Sequence, residues 1–191
     1  MRTAFLYQMV VIMIFTVSGI QAESISTEKK ILVVYFSHSG NTRELANQIH
    51  ERVGGDVFEL VPVDPYPADY DAVVAQAKRE QNSGYRPVLK TRIDSIGSYN
   101  VILIGHPIWW GTLPPPVVTF LSEYNVSGKT IVPFCTHEGS GFGHSIADVS
   151  RLCPRSTIMD GLAVRGSDVR KAQNKVSAWL QGLKLRRKNN A

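Results

Sequence analysis

The alternation of short apolar runs with longer segments of helical spacing constrains the fold of this chain most. Residues 31–36 (ILVVYF) and residues 101–104 (VILI) are continuously apolar and rich in β-branched side chains. This pattern is typical of strands that are covered on both faces of a sheet. Three further strands are predicted at residues 56–61, 130–134 and 157–164.

Helical segments follow the predicted strands in regular alternation. The helix predicted at residues 69–82 carries an apolar face made of Tyr70, Val73, Val74 and Ala77. The other helices are predicted at residues 43–53, 117–124 and 145–152, with a final helix that Ser167 caps. Such alternation within one chain predicts a single α/β domain, a doubly wound parallel sheet with helices on both faces.

The first 22 residues have the layout of a secretory signal peptide. Arg2 is followed by an apolar stretch that ends at the small residue Ala22. Two rival interpretations are a retained membrane anchor and a start at Met9 or Met13. The apolar run is shorter than the roughly 20 residues that a bilayer span needs, which favours cleavage. We therefore expect an exported, periplasmic protein, with membrane anchoring as the alternative.

The rest of the chain is predicted to contain a linker at residues 23–29, one domain at residues 30–184 and a basic tail at residues 185–191. Without Arg2 the charge is 20 − 16 = +4, and much of this excess lies near the tail. A short basic tail without interleaved aromatic residues is typical of a solvated chain end. No binding of nucleic acid is predicted.

The two cysteines, Cys135 and Cys153, do not have the spacing of a metal site. Each lies in an apolar context that is typical of a buried thiol. Two separate buried thiols are therefore favoured over a disulfide, and no metal ion is expected.

Three loops are predicted at the carboxyl ends of strands, where open α/β sheets bind their ligands. Residues 37–42 combine hydroxyl groups and a glycine with the start of a helix, which suits a phosphate monoester. A plain turn capped by Thr42 is the alternative. Residues 105–114 contain Trp109 and Trp110, which could stack on a planar ring or pack into the core. Residues 136–143 contain three glycines, which allow the backbone to approach a ligand closely.

The motifs YFSHSGNT at residues 35–42, PIWWG at 107–111 and CTHEGSG at 135–141 resemble the three FMN-binding loops of the flavodoxin-like family. The resemblance runs in order along almost the whole chain after the predicted signal peptide. It implies FMN as the cofactor and a five-stranded parallel sheet of order 2-1-3-4-5. It implies the FMN-binding residues Ser37, His38, Ser39, Gly40, Asn41, Thr42, Pro107, Ile108, Trp109, Trp110, Gly111, Thr136, His137, Glu138, Gly139 and Ser140.

The resemblance favours an electron carrier, in which FMN supplies the redox chemistry and no side chain acts as acid or base. The alternatives are an FMN-dependent NAD(P)H:quinone-type oxidoreductase and a non-catalytic protein that binds a partner. The expected partners are a redox protein or a quinone-like small acceptor, with a membrane-bound electron donor if the chain is exported. We expect His106, His137 and Glu138 to modulate the flavin potential.

Overall fold

The computed structural model describes residues 30–90 and 92–185. The predicted signal peptide, the linker and residues 186–191 of the predicted tail lie outside the described residues. Among the residues that are described, no helix combines the length and apolar character that a membrane span requires.

One parallel sheet forms the centre of the domain. Its strands are β1 (Ile31–Tyr35), β2 (Asp56–Glu59), β3 (Val101–Pro107), β4 (Thr130–His137), β5 (Thr157–Ile158) and β6 (Leu162–Arg165). The strand order is β2-β1-β3-β4-β5, and β6 also pairs with β4. Every pairing between these strands is parallel. The predicted fold class and the order 2-1-3-4-5 are confirmed.

The helices connect the strands across both faces of the sheet. They are α1 (Asn41–Val53), α2 (Tyr70–Ser83), α3 (Pro115–Glu123), α4 (Ser145–Leu152) and α5 (Gln173–Gly182), with short 3-10 helices at Ile96–Ser98 and Gly166–Lys171. The carboxylate of Asp69 accepts a hydrogen bond of 2.8 Å from the backbone N–H of Ala72. This bond satisfies an amide that the helix itself leaves unpaired, and it fixes the start of α2.

Successive residues of the central strands face opposite layers of the core. Val33 of β1 packs in one cluster with Ile49 of α1 and Leu180 of α5. Its neighbour Leu32 belongs to a second cluster, which includes Phe120 of α3. All five are fully buried. Successive side chains of a strand point to opposite faces of the sheet, and here both faces are covered by the core. The run at residues 31–36 is therefore apolar throughout and does not alternate with polar residues.

The strand predicted at residues 157–164 is divided into β5 and β6, so the prediction of one continuous strand is wrong. Ile131 of β4 pairs with Ile158, and Phe134 pairs with Leu162. Between these two pairs, the segment from β5 to β6 therefore contains one residue more than β4. Pro133 of β4 lies at the break, and it has no N–H to donate to a neighbouring strand. The missing donor explains why the ladder opens at this position.

The prediction that Ser167 caps the last helix is also wrong. Ser167 lies within the 3-10 helix Gly166–Lys171, and α5 begins six residues later at Gln173. The buried Val169 anchors this 3-10 helix, because its carbonyl accepts a hydrogen bond of 2.9 Å from the side chain of Gln48. A tertiary contact with α1 has therefore overridden the local capping preference of a serine.

Candidate functional site

A cavity of about 710 Å³ lies at the carboxyl ends of β1, β3 and β4. The loops that follow these three strands line it together with one face of α2. Apart from Ser37, Gly40 and Thr42, every predicted FMN-binding residue lines this cavity. Pockets for small molecules and cofactors typically enclose about 300–1,000 Å³, so the volume of this cavity is that of a cofactor site.

The first loop ends at the N-terminus of α1, where the residue at the cap position makes no side-chain hydrogen bond. Gly40 occupies the cap position with a left-handed φ of 91°, and a β-carbon there would meet no atom within 4 Å. Ser39 and Asn41 line the cavity beside it. The first turn of a helix offers backbone N–H groups and a positive dipole end, which together suit a phosphate.

Two hydroxyl groups of the first loop are engaged inside the protein. Thr42 Oγ1 lies 2.8 Å from Thr136 Oγ1, and both side chains are buried. Ser37 Oγ accepts a hydrogen bond of 3.2 Å from the backbone N–H of Arg43. Ser37 and Thr42 therefore shape the loop and connect it to the end of β4 rather than facing the cavity.

Trp109 and Trp110 have different environments. Trp109 is half-buried and packs edge-to-face against Phe36 and Tyr66, with ring centroids 5.3 and 4.8 Å away. Trp110 is 51% exposed, and its indole N–H donates a hydrogen bond of 3.0 Å to the carbonyl of Val74 in α2. Trp109 is thus held by an aromatic cluster, whereas Trp110 lies along the surface of α2. Trp109 packs against the core and also lines the cavity, and its stacking on a planar ring stays a prediction.

A tight turn presents the two tryptophans. Trp109 and Thr112 exchange backbone hydrogen bonds of 3.1 and 3.0 Å. The two central residues, Trp110 and Gly111, have φ values of 50° and 79°. This left-handed geometry is uncommon for a tryptophan and is well suited to a glycine. The carbonyl of Gly111 also accepts a hydrogen bond of 2.7 Å from the N–H of His144, which joins the turn to the start of α4.

Asp148 of α4 fixes the far side of the same turn. Its carboxylate accepts hydrogen bonds from the hydroxyl of Thr112 and from the guanidinium of Arg151. Partial burial would raise the pKa of Asp148, but these two partners outweigh burial and lower the pKa below its ordinary value. The carboxylate is therefore a stable acceptor at neutral pH.

The third loop carries polar groups at the edge of the cavity. The backbone N–H of Gly139 donates a hydrogen bond of 2.9 Å to His137 Nδ1, which holds the imidazole against the loop backbone. Glu138 has a side chain that is 77% exposed, and its carboxylate lies 3.9 Å from the guanidinium of Arg165 at the end of β6. Glu138 thus places a negative charge at the cavity, with a cation close behind it.

His106 does not behave as a titrating group in the neutral range. Its side chain is fully buried, and burial lowers its pKa to about 4. Among the described residues, Nε2 of His106 has no hydrogen-bond partner. The expectation that His106 modulates the flavin potential by titration is therefore wrong, because the imidazole remains neutral.

The wall made by α2 was not predicted as part of the site. Tyr70, Val73, Val74 and Ala77 line the cavity. The sequence does show these residues on one apolar face, which is the signal that could have identified the wall. A helix face of this kind more often packs entirely into the core. Here Val73 and Ala77 are buried, whereas Tyr70 is 76% exposed.

The two cysteines are free and buried, as predicted. Burial raises the pKa of Cys135 to about 12 and that of Cys153 to about 11. Both thiols are therefore protonated at neutral pH. Among the described residues, no group of three or more His, Cys, Asp or Glu side chains could hold a metal ion.

Comparison with known structures identifies similar proteins. An inferred flavoprotein from Bacteroides eggerthii is 32% identical, with a TM-score of 0.74, and the match covers 83% of this chain and 100% of that one. An inferred flavoprotein from Bacteroides uniformis is 29% identical, with a TM-score of 0.72 over 80% of this chain and 98% of that one. A flavoprotein in complex with FMN from Lactobacillus acidophilus is 27% identical, with a TM-score of 0.59 over 75% of this chain and 98% of that one.

Among curated proteins, no significant match to the chain is found. The family model described as Flavodoxin matches residues 30–183, which is nearly all of the described part of the chain. This match agrees with the sheet order and with the position of the cavity at the carboxyl ends of β1, β3 and β4. The chain belongs to the flavodoxin family.

Proposed function

We propose that this protein binds FMN in the cavity and transfers electrons through it. The observation that carries the proposal is that three different groups meet at one cavity: the first turn of α1, the ring of Trp109 and the glycine-containing loop after β4. A phosphate, a planar ring and a polar ring edge are the parts of FMN that these groups would accept. The similar protein from Lactobacillus acidophilus is an FMN complex, which supports this choice.

The residues of the chain would bind and orient the cofactor, and the cofactor would supply the redox chemistry. Backbone N–H groups at the start of α1, with Ser39 and Asn41, would hold the phosphate. Trp109 would form an apolar wall beside the ring, because Phe36 and Tyr66 keep its indole in place. Backbone N–H groups near Gly139 would face the polar edge of the ring. An apolar wall excludes water and makes an additional negative charge on the ring less favourable.

A second candidate function is the reduction of a small acceptor by an FMN-dependent enzyme. It is favoured by the exposed lining of the cavity, since Tyr70 and Trp110 are accessible rather than packed beneath other residues. A role limited to binding a partner, without FMN, is the remaining alternative.

Calorimetric titration of the purified protein with FMN and with riboflavin tests the proposal first. We expect FMN to bind at least about tenfold more tightly than riboflavin, because a charge-assisted hydrogen bond to phosphate is worth about 1.5–3 kcal/mol. Equal binding of both would contradict the phosphate assignment. Absence of FMN binding would contradict the function itself and favour the partner-binding alternative.

An anaerobic visible spectrum of the FMN-loaded protein then separates the two redox functions. Bleaching by NADH or NADPH, followed by reoxidation on adding a quinone, would indicate a reductase. A flavin that ignores both nucleotides but accepts electrons from a chemical reductant would indicate a carrier that awaits a protein donor.

We also propose that the chain is exported and receives its electrons from a membrane-bound donor. The support is the arrangement of Arg2, the apolar stretch and Ala22 in the sequence. The intact mass of the protein from its native host tests this proposal. A mass that matches residues 23–191 is expected, and a mass that matches the full chain would contradict cleavage.

A further inference from the structure

One side of the cavity is made by α2 and by the indole ring of Trp110, which lies along α2. Val73 and Ala77 are buried and fix the helix against the core. Tyr70 is 76% exposed and Trp110 is 51% exposed, yet both line the cavity. The hydrogen bond from the Trp110 indole to the carbonyl of Val74 keeps the second ring on this side. Two accessible aromatic rings in one cavity form an apolar surface that a planar ligand can cover.

The cation of Lys78 lies beside this surface. The ammonium group of Lys78 is 4.7 Å from the centre of the Trp110 ring, which is the geometry of a cation–π contact. The contact places a positive charge next to the aromatic surface and still leaves it accessible, since Lys78 is exposed. The surface therefore suits a ligand that is flat and apolar over most of its area and that carries one negative group.

The α2 side lacks the features that would hold the phosphate of FMN. The start of α2 is already capped by the carboxylate of Asp69, whereas the cap residue of α1, Gly40, makes no side-chain hydrogen bond. The phosphate and the α2 surface therefore occupy different parts of the cavity.

We propose that the surface formed by Tyr70, Val74, Lys78 and Trp110 binds a planar aromatic electron acceptor that carries an acidic group. The proposal rests on the proposed function, since the electrons come from reduced FMN. If the acceptor is a quinone, it takes two electrons and two protons and becomes the hydroquinone, while the reduced flavin gives up both and returns to its oxidised form. The aromatic side chains hold the ring of the acceptor, and Lys78 selects its charge.

The test uses two ligands that cannot be reduced by the flavin. FMN-loaded full chain is titrated with naphthalene-2-sulfonate, which is an anion, and with 2-naphthol, which is neutral at pH 7. Binding is followed by calorimetry and by the perturbation of the flavin absorption. We expect Lys78→Gln to weaken the sulfonate about tenfold and to leave 2-naphthol unchanged, because only the anion loses a charged partner. Tyr70→Ala is expected to weaken both ligands.

Two matched variants control for charge and for aromatic surface elsewhere. Lys90→Gln removes an exposed lysine, and Tyr85→Ala removes an exposed tyrosine, and neither residue lines the cavity. Both are expected to bind the two ligands as the unmodified protein does. The inference is overturned if Lys78→Gln and Lys90→Gln bind the sulfonate equally.

The affinity for FMN, measured in the same variants, distinguishes the remaining explanations. If Tyr70→Ala weakens FMN as much as it weakens 2-naphthol, the α2 surface belongs to the flavin and the inference is wrong. If the unmodified protein does not bind FMN, the proposed function fails and the electron acceptor fails with it. FMN binding without any binding of either naphthalene ligand contradicts this inference alone.

Discussion

The hydrogen bond between Thr42 and Thr136 connects two loops that are 94 residues apart in the chain. Thr42 is 1% exposed and Thr136 is 4% exposed, so water cannot replace a lost partner. Replacing Thr42 with valine keeps the branched shape and removes one hydroxyl. The hydroxyl of Thr136 is then left buried without its partner.

The expected cost follows from this burial. An unsatisfied buried polar group costs about 1–3 kcal/mol in the free energy of unfolding. For a domain of this size, each kcal/mol lowers Tm by about 2–4 °C. The Thr42→Val variant should therefore melt several degrees below the unmodified protein. The double variant with Thr136→Val removes both hydroxyls together, and its loss should be smaller than the sum of the two single losses.

Urea denaturation of the four proteins in this cycle measures the coupling, and Thr157→Val, at an exposed threonine, is the control. FMN titration of the double variant adds a second readout. Because the hydroxyl of Thr42 is engaged with Thr136, we expect the FMN affinity of the double variant to stay within about threefold of that of the unmodified protein. Losing a charge-assisted hydrogen bond to the phosphate would weaken FMN binding by much more. Additive losses of stability, or a much weaker affinity for FMN, would refute the assignment of Thr42 to loop connection.

Three further predictions concern the cavity wall, the α2 cap and the buried imidazole. Trp109→Ala should weaken FMN binding, measured by calorimetry, by about tenfold or more through loss of aromatic contact. Its effect should exceed that of Trp110→Ala, and a larger loss of affinity in Trp110→Ala would contradict the assignment. Asp69→Ala should destabilise the protein by about 1 kcal/mol through loss of the cap, measured by urea denaturation, and an unchanged midpoint would contradict that role. The pKa of His106 falls from 6.5 to about 4 on folding. Between these two pH values the unfolded chain therefore binds more protons than the folded protein. The contribution of His106 to stability is lost as pH falls through this range. His106→Leu should therefore reduce the loss of stability between pH 7 and pH 5, and an identical pH dependence in both proteins would contradict the prediction.

The sheet and its order could be predicted because the necessary information is local. A run such as residues 31–36 identifies a strand that is covered on both faces, and the loop motifs lie directly after such strands. The chain direction then brings the carboxyl ends of parallel strands to one edge of the sheet. This is why almost all of the predicted site residues line a single cavity. Their contacts with FMN stay predictions.

The features that could not be predicted depend on contacts between distant residues. The break between β5 and β6 depends on Pro133 in the neighbouring strand, not on the sequence at residues 157–164. Ser167 has the right character for a cap, but Gln48 of α1 fixes the backbone around Val169 instead. The hydrogen bond of the Thr42 hydroxyl could not be predicted, because it depends on the position of Thr136 in the folded chain. In each case a local preference was correct for an isolated segment and was overruled by packing.

The wall formed by α2 shows how one apolar stripe can serve both the core and the site. Residues spaced three or four apart lie on the same face, so the sequence indicates that Tyr70, Val73 and Ala77 point in one direction. It does not indicate where the core ends along that direction. All three line the cavity, but Val73 and Ala77 are buried, while Tyr70, one turn nearer the start of α2, is exposed. The three loops are therefore the part of the site that membership of the flavodoxin family explains. Under the proposed function, the residues at the start of α2 are where we expect this protein to differ in its electron donor or acceptor.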